Sequence, residues 1–244
     1  MALGPDKRFE LRTKTMDPSQ VHAAGMDMGL RAYMLRVYNY MTGALALTGV
    51  VAYSVANSEA ALQLIFGSGF GIIVMLSPFA FILALSFGIN KMQASTAQAV
   101  FWAFAAVMGL SMASIFIQYT GASIARVFFI TSATFAGMSL YGYTTKRDLS
   151  GLGSFLFMGL LGIIIASVVN MFIQSSAMHF VISVIGVLVF VGLTAYDTQK
   201  IKSIYSELDG AETQSKKAIM GALSLYLDFI NLFLMLLRLL GDRR

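Results

Sequence analysis

Two aspartates stand where a carboxylate is costly. Asp228 interrupts the apolar run from Ala218 to Leu240, in the stretch LYLDFINLFL, and Asp197 closes an earlier run, in GLTAYDTQK. All other acidic residues fall in the polar N-terminal arm, in loops or in the tail. A carboxylate within a membrane span faces protein or water rather than lipid and is a functional-site hypothesis by default. Gly221, Ser224, Asp228, Asn231 and Arg238 recur at spacings of 3, 4, 3 and 7. That spacing places them on one helical stripe. Thr194 stands one turn before Asp197. If the two helices are antiparallel neighbours, the carboxyl groups can share one proton, because two close charges in a poorly solvated site do not readily coexist. The shared proton would latch two helices. Its loss would part them or admit a hard divalent cation, whose preferred ligands are carboxylate oxygens. Asp197 and Asp228 would then serve together as pH sensor, latch and cation site, with Ser224, Asn231 and Thr194 as supporting polar residues. Counting from Ala218, Asp228 lies about 15 Å deep and Asp197 is shallower, so a water-filled vestibule or a shifted helix is needed to join them.

The elements that must position this pair are membrane helices. The chain has 244 residues, is 57% hydrophobic and only 12% charged, against roughly 25% charged in soluble domains. Seven apolar segments are expected near 33–56, 70–89, 98–117, 122–143, 153–173, 178–199 and 218–240. Each is long and continuous, unlike the alternating ten-residue strands of a membrane barrel. The expected fold is therefore all-α and integral to the membrane. Residues 1–30 form a polar arm and 31–244 a seven-helix domain. The arm lacks the apolar core of a cleaved signal peptide, so the first apolar segment is expected to remain as a span. Pro78 predicts a kink in the second helix. Gly109, Gly137, Gly159, Gly162 and Gly186 predict close helix packing.

Thirteen of the seventeen basic residues lie in the arm, at the start of the first helix and in alternate loops. The positive-inside rule then puts the N-terminus in the cytoplasm. Arg238, Arg243 and Arg244 would lie on the far side if the last segment crosses fully, which its length favours over a re-entrant course. The net charge of +5 is read as topology and attraction to anionic lipid, not nucleic-acid binding.

Other chemistry is thinly represented. With no cysteine there is no disulfide, thiolate metal site or cysteine nucleophile. His22 and His179 are far apart, and Ser183, one turn after His179, lacks an orienting third group. The glycine-rich GSGFG at 67–71 lacks the Lys-Ser/Thr of a phosphate loop. No cofactor and no catalytic residue are expected.

The segments MTGALALTGVVAY, TGASIARVFFITSATFAGMSLYGYTTKRDLSG, GLTAYDTQKIK and ALSLYLDFINLFLMLLRLLG closely resemble the transmembrane Bax-inhibitor-motif family in its bacterial branch. The resemblance implies a seven-helix fold with the last helix central among six others. It also implies a pH-sensitive calcium leak in the bacterial inner membrane and a sensor formed by Asp197 and Asp228. In some members a basic residue on the second helix latches the pair. FGIIVMLSPFAFILALSFGI has none, leaving Ser77, Ser86 or the more distant Lys91 as poorer substitutes. TTKRD, with Lys146, Arg147 and Asp148, is expected to be a charged cytoplasmic turn that sets topology. Two alternatives compete. Some bacterial relatives are associated with a membrane-anchored AAA protease, which the arm could engage; deletion of residues 1–28 would spare a leak but abolish such control. Intramembrane aspartyl proteases also use paired aspartates, but their second one usually follows Gly-x-Gly, where this chain has Leu225-Tyr226-Leu227.

Overall fold

A computed structural model describes residues 18–67 and 69–244. Seven helices follow in order: α1 Pro18–Ala56, α2 Phe70–Gly88, α3 Ala94–Gln118, α4 Gly121–Thr144, α5 Ser150–Ile173, α6 Ser176–Ser203 and α7 Ala211–Leu240. A short turn, Glu59–Leu62 running into Gln63–Gly67, separates α1 from α2. No strand occurs among the described residues, only an isolated bridge between Tyr119 and Arg243. Six helices, α2 to α7, are each long and apolar enough to cross a membrane, and α1 with its 98° bend into the short turn brings the number to seven. The chain is an all-α, multi-pass membrane protein.

Two helices begin earlier than their apolar residues. α1 starts at Pro18, a residue suited to a first helical turn. α7 starts at Ala211, where the polar turn is supported by the Glu212–Lys216 ion pair at 3.0 Å. Residues 18–30, read as part of the polar arm, are thus helical and continuous with α1, and residues 1–17 lie outside the described part.

The core belongs to α7. Fifteen of its residues are buried, against two in α2 and three in α5. It packs directly on α1, α3, α4 and α6, while α2 and α5 face it across a cavity. At its far end, Arg126 of α4 reaches both the Leu240 carbonyl at 3.0 Å and Asp242 at 2.9 Å. The Asp242 N–H donates to Ser123 Oγ at 2.8 Å, and the Arg244 N–H donates to the Gln118 carbonyl at 3.0 Å. The end of α7 is therefore clamped to the α3–α4 turn. Near its other end Arg36, midway along α1, donates to Ser215. α7 runs the whole length of the bundle, as its length suggested, and Asp242 offsets some of the basic charge that made this course costly.

Pro78 leaves α2 a single helix. Its missing N–H frees the Val74 carbonyl, which receives hydroxyl bonds from Ser77 and from Ser111 of α3, both at 2.8 Å. Membrane helices tolerate proline through such substitutions. The glycine expectation divides. Gly109 lies against Thr48 and Val51, Gly186 against Met235, and Gly159 near Val189, but Gly137 and Gly162 face open space. The closest approach between the backbones of two helices is at Gly142, which sequence reading did not single out: a β-carbon there would fall on the backbone of Ala195.

Buried polar groups tie three helices together. Thr48 Oγ1 of α1 donates to the Ala105 carbonyl of α3 at 2.8 Å. Its proton being used, it accepts from the Tyr226 hydroxyl of α7 at 2.7 Å. Thr48→Val should therefore cost about 1–2 kcal/mol, because it leaves a buried phenol without an acceptor. Thermal unfolding in detergent would show this, and adding Tyr226→Phe to Thr48→Val should restore part of the loss. A double variant less stable than Thr48→Val alone would contradict the assignment.

Candidate functional site

The register of α6 against α7 brings the two aspartates together. Gly221 packs on Ile201 and Gly186 on Met235. Interpolating between these pairs, Asp197 is level with about Leu225, and Asp228 stands roughly one turn, about 5 Å, deeper. The gap is narrower than the apolar runs suggest because α6 continues past its apolar run to Ser203. The carboxyl side chains close the remaining gap and lie within hydrogen-bonding reach of each other. Asp228 is 5% exposed, and Asp197 is half-buried.

No N–H or hydroxyl of the described residues reaches Asp228 Oδ2. Two ionised carboxylates are acceptors only, so a hydrogen bond between them requires one to carry a proton. One proton shared between the two carboxyl groups would give this oxygen a partner. Beside the pair lies a cavity of about 840 Å3 between α2, α5, α6 and α7. Ser224, Asn231, Tyr196 and Lys200 line it together with the aspartates. The cavity supplies the vestibule, and the helix register supplies the shift.

The supporting residues separate. Ser224 and Asn231 share the cavity wall with Asp228, and the Asn231 amide donates to the Leu227 carbonyl at 2.8 Å. Thr194 does not join them. It is fully buried, and its hydroxyl donates to the Phe190 carbonyl of its own helix. Gly221 is buried against Ile201, and Arg238 is exposed beyond the cavity. On α2 only Phe79 and Ile82 reach the cavity. Ser77 bonds its own helix, and Ser86 and Lys91 are exposed, so none of the three latches the pair.

The basic group nearest the pair is Lys200, one turn after Asp197 and within electrostatic reach of it. Hydropathy alone leaves Lys200 in the loop after the sixth apolar segment, expected to end near 199. The signal was available in the Asp-x-x-Lys spacing, once α6 is carried to Ser203.

Lys200 and Tyr196 also line a smaller cavity of about 300 Å3 with Lys146, Arg147 and Asp148. The TTKRD turn thus borders the approach to the aspartates. Gln199 holds it in place, donating to the Arg147 carbonyl and accepting from the Leu149 N–H, both at 2.8 Å. The Ser150 hydroxyl and N–H hold the Asp148 carboxyl below its ordinary range. Ser183 donates its hydroxyl to the His179 backbone carbonyl at 2.9 Å, not to the imidazole, which removes the Ser/His pair as a nucleophile arrangement. Among the described residues no group of three or more His, Cys, Asp and Glu could hold a metal ion. Calcium takes six to eight oxygens, more than the two carboxyl groups supply.

Comparison with known proteins agrees with this architecture. Residues 30–244 match the family model described as inhibitor of apoptosis-promoting Bax1. An uncharacterised protein of Rickettsia prowazekii (strain Madrid E) is 51% identical over 232 residues, covering 95% of this chain and 98% of the relative. Inner membrane protein YbhL of Escherichia coli (strain K12) is 50% identical over 219 residues, covering 88% and 94%. A protein of Caulobacter vibrioides is 42% identical over 229 residues, covering 90% and 92%. With the match extending over nearly all of the bundle, the chain belongs to the Bax inhibitor family of membrane proteins.

Proposed function

We propose that this protein is a pH-sensitive calcium leak of the bacterial inner membrane, gated by a proton shared between Asp197 and Asp228, and not an enzyme. The observation that carries the reading is the buried Asp228 Oδ2, which no donor of the described residues reaches, facing Asp197 on the wall of a cavity. With the proton in place, the pair joins α6 to α7. Without it, two like charges face each other in a poorly solvated site, and either a cation enters or the helices separate. The basic end of the bundle, with Lys146, Arg147, Lys200, Lys202, Lys216 and Lys217, is the cytoplasmic end by the positive-inside rule. The N-terminus lies on that side with it.

An aspartyl protease is the weaker use of the same pair. Such a site must admit substrate backbone, and Leu225, Tyr226 and Leu227 crowd the approach along α7 where glycines would open it. The test is calcium flux into proteoliposomes, followed over roughly pH 5 to 9, a range wide enough to titrate a coupled carboxyl pair. A pH-dependent flux is expected. Folded protein that passes no calcium at any pH would overturn the leak and turn attention to the N-terminal arm and a membrane-anchored AAA protease as partner.

A further inference from the structure

α1 and α4 stand side by side on the outside of the bundle without packing along their lengths. Among the described residues, the hydrogen-bonded link between them is the Tyr38 hydroxyl with Ser139 Oγ, at 2.5 Å. Between the helices lies a groove of about 1030 Å3, with Phe229 of α7 in its floor. Its walls are apolar or small, including Met41, Leu45, Phe128 and Ala136. Ser132 also lines it, but its hydroxyl is spent on the Phe128 carbonyl of its own helix at 2.8 Å. From Tyr143 to Phe128 the groove runs about 22 Å at 1.5 Å per residue, more than the roughly 15 Å of one leaflet's hydrocarbon.

The two ends of the groove differ in charge. Arg31 stands at the Tyr143 end, and among the described residues no carboxylate pairs with it. Lys202 adds a second positive group there, donating to the Tyr143 carbonyl at 2.8 Å and lying 4.9 Å from its ring centre. One cationic end and a long apolar trough match an amphiphile with one anionic end and an alkyl tail.

We propose that the α1–α4 groove is a binding site for an anionic phospholipid of the surrounding leaflet, with one acyl chain between the helices and the phosphate at Arg31. Neither the leak nor the proton pair is needed for this inference. The site nevertheless touches the backs of both sensor helices. Phe229 follows Asp228 and is wedged edge-on between Phe128 and Phe135, at 5.6 and 5.5 Å. Ser139 continues to Thr198, the residue after Asp197, at 3.0 Å.

The test is native mass spectrometry of detergent-purified protein titrated with phosphatidylglycerol, and with phosphatidylcholine as the zwitterionic comparison. The wild type is expected to bind one phosphatidylglycerol in preference to phosphatidylcholine. Arg31→Gln should reduce that preference about fivefold, the equivalent of one basic group at a lipid surface. Ala136→Phe and Ser132→Leu fill the trough from partly or fully exposed positions and should each lower binding of both lipids at least about tenfold, one and a half kilocalories or so of lost chain burial. Because neither variant touches the core, an unchanged melting temperature is the accompanying expectation. Three results would overturn the site: no bound phospholipid in the wild type, binding undiminished in both filled variants, or a dimer that forms through this face in place of lipid.

Discussion

Asp228→Asn should flatten the pH dependence of calcium flux. The wild-type response can approach about tenfold per pH unit for a one-proton step, since a unit of pH is worth about 1.4 kcal/mol. The asparagine variant should change by less than about twofold over the same range, because an amide does not titrate there. The exchange is nearly isosteric and leaves the packing of α7 in place. The new amide can donate to Asp197, so the two helices stay joined while the proton is no longer needed. Asp197→Asn should act alike, because the response belongs to the pair and not to either member. Ser224→Ala is the appropriate control, sharing the cavity wall without a titrating group. Wild-type pH dependence in both asparagine variants would exclude the pair as sensor, even if calcium still flowed.

The second large effect is expected at Gly142. A β-carbon there meets the Ala195 carbonyl and neighbouring backbone atoms of α6. Backbone cannot rotate away as a side chain can, so α4 and α6 must separate. The Ser139–Thr198 bond, one turn along the same crossing at 3.0 Å, would lengthen with them. Gly142→Ala should cost about 3 kcal/mol, the upper part of the range for overpacking, and Gly142→Val should yield little folded protein. Gly137→Ala and Gly162→Ala make the contrast. Both positions face open space within helices, so alanine should be neutral or stabilise by up to about 1 kcal/mol through helix propensity. Thermal unfolding of the three alanine variants in detergent checks the argument. A Gly142→Ala protein as stable as the other two would show that the crossing has slack.

Asp228 was legible because its cost was legible: a carboxylate amid apolar residues needs a reason, and its neighbours at helical spacing named the face. Ser224 and Asn231 share its cavity wall because they lie about one turn from it. Arg238 does not, because it is ten residues along, about 15 Å away, and the stripe outlasts the cavity. Thr194 satisfied the spacing rule but turns to its own backbone, as threonines in helices commonly do. The true start of α7 was hidden because hydropathy finds where a helix becomes apolar, not where it begins. Ala211 to Lys217 is polar yet helical. The same blindness at the end of α6 concealed Lys200. Close crossings were the least legible: five glycines looked alike in sequence, and a sixth, Gly142, marks the closest approach of two helix backbones.

The burial of α7 also bears on how the protein is made. Chains are synthesised from the N-terminus, so the helix with fifteen buried residues enters the membrane after the six that surround it. Until then, α1, α3, α4 and α6 have no common partner, and the faces they will turn to α7 are left to lipid or to one another. Lipid tails are as apolar as leucine, so this wait is tolerable for most of the lining. The hydroxyl of Thr48 can already donate to the Ala105 carbonyl of α3, and only its acceptor position waits for Tyr226. The clamp of Asp242 and Arg244 onto the α3–α4 turn can close only when the last helix has arrived, and it then acts as the final fastening of an assembly whose centre is installed last.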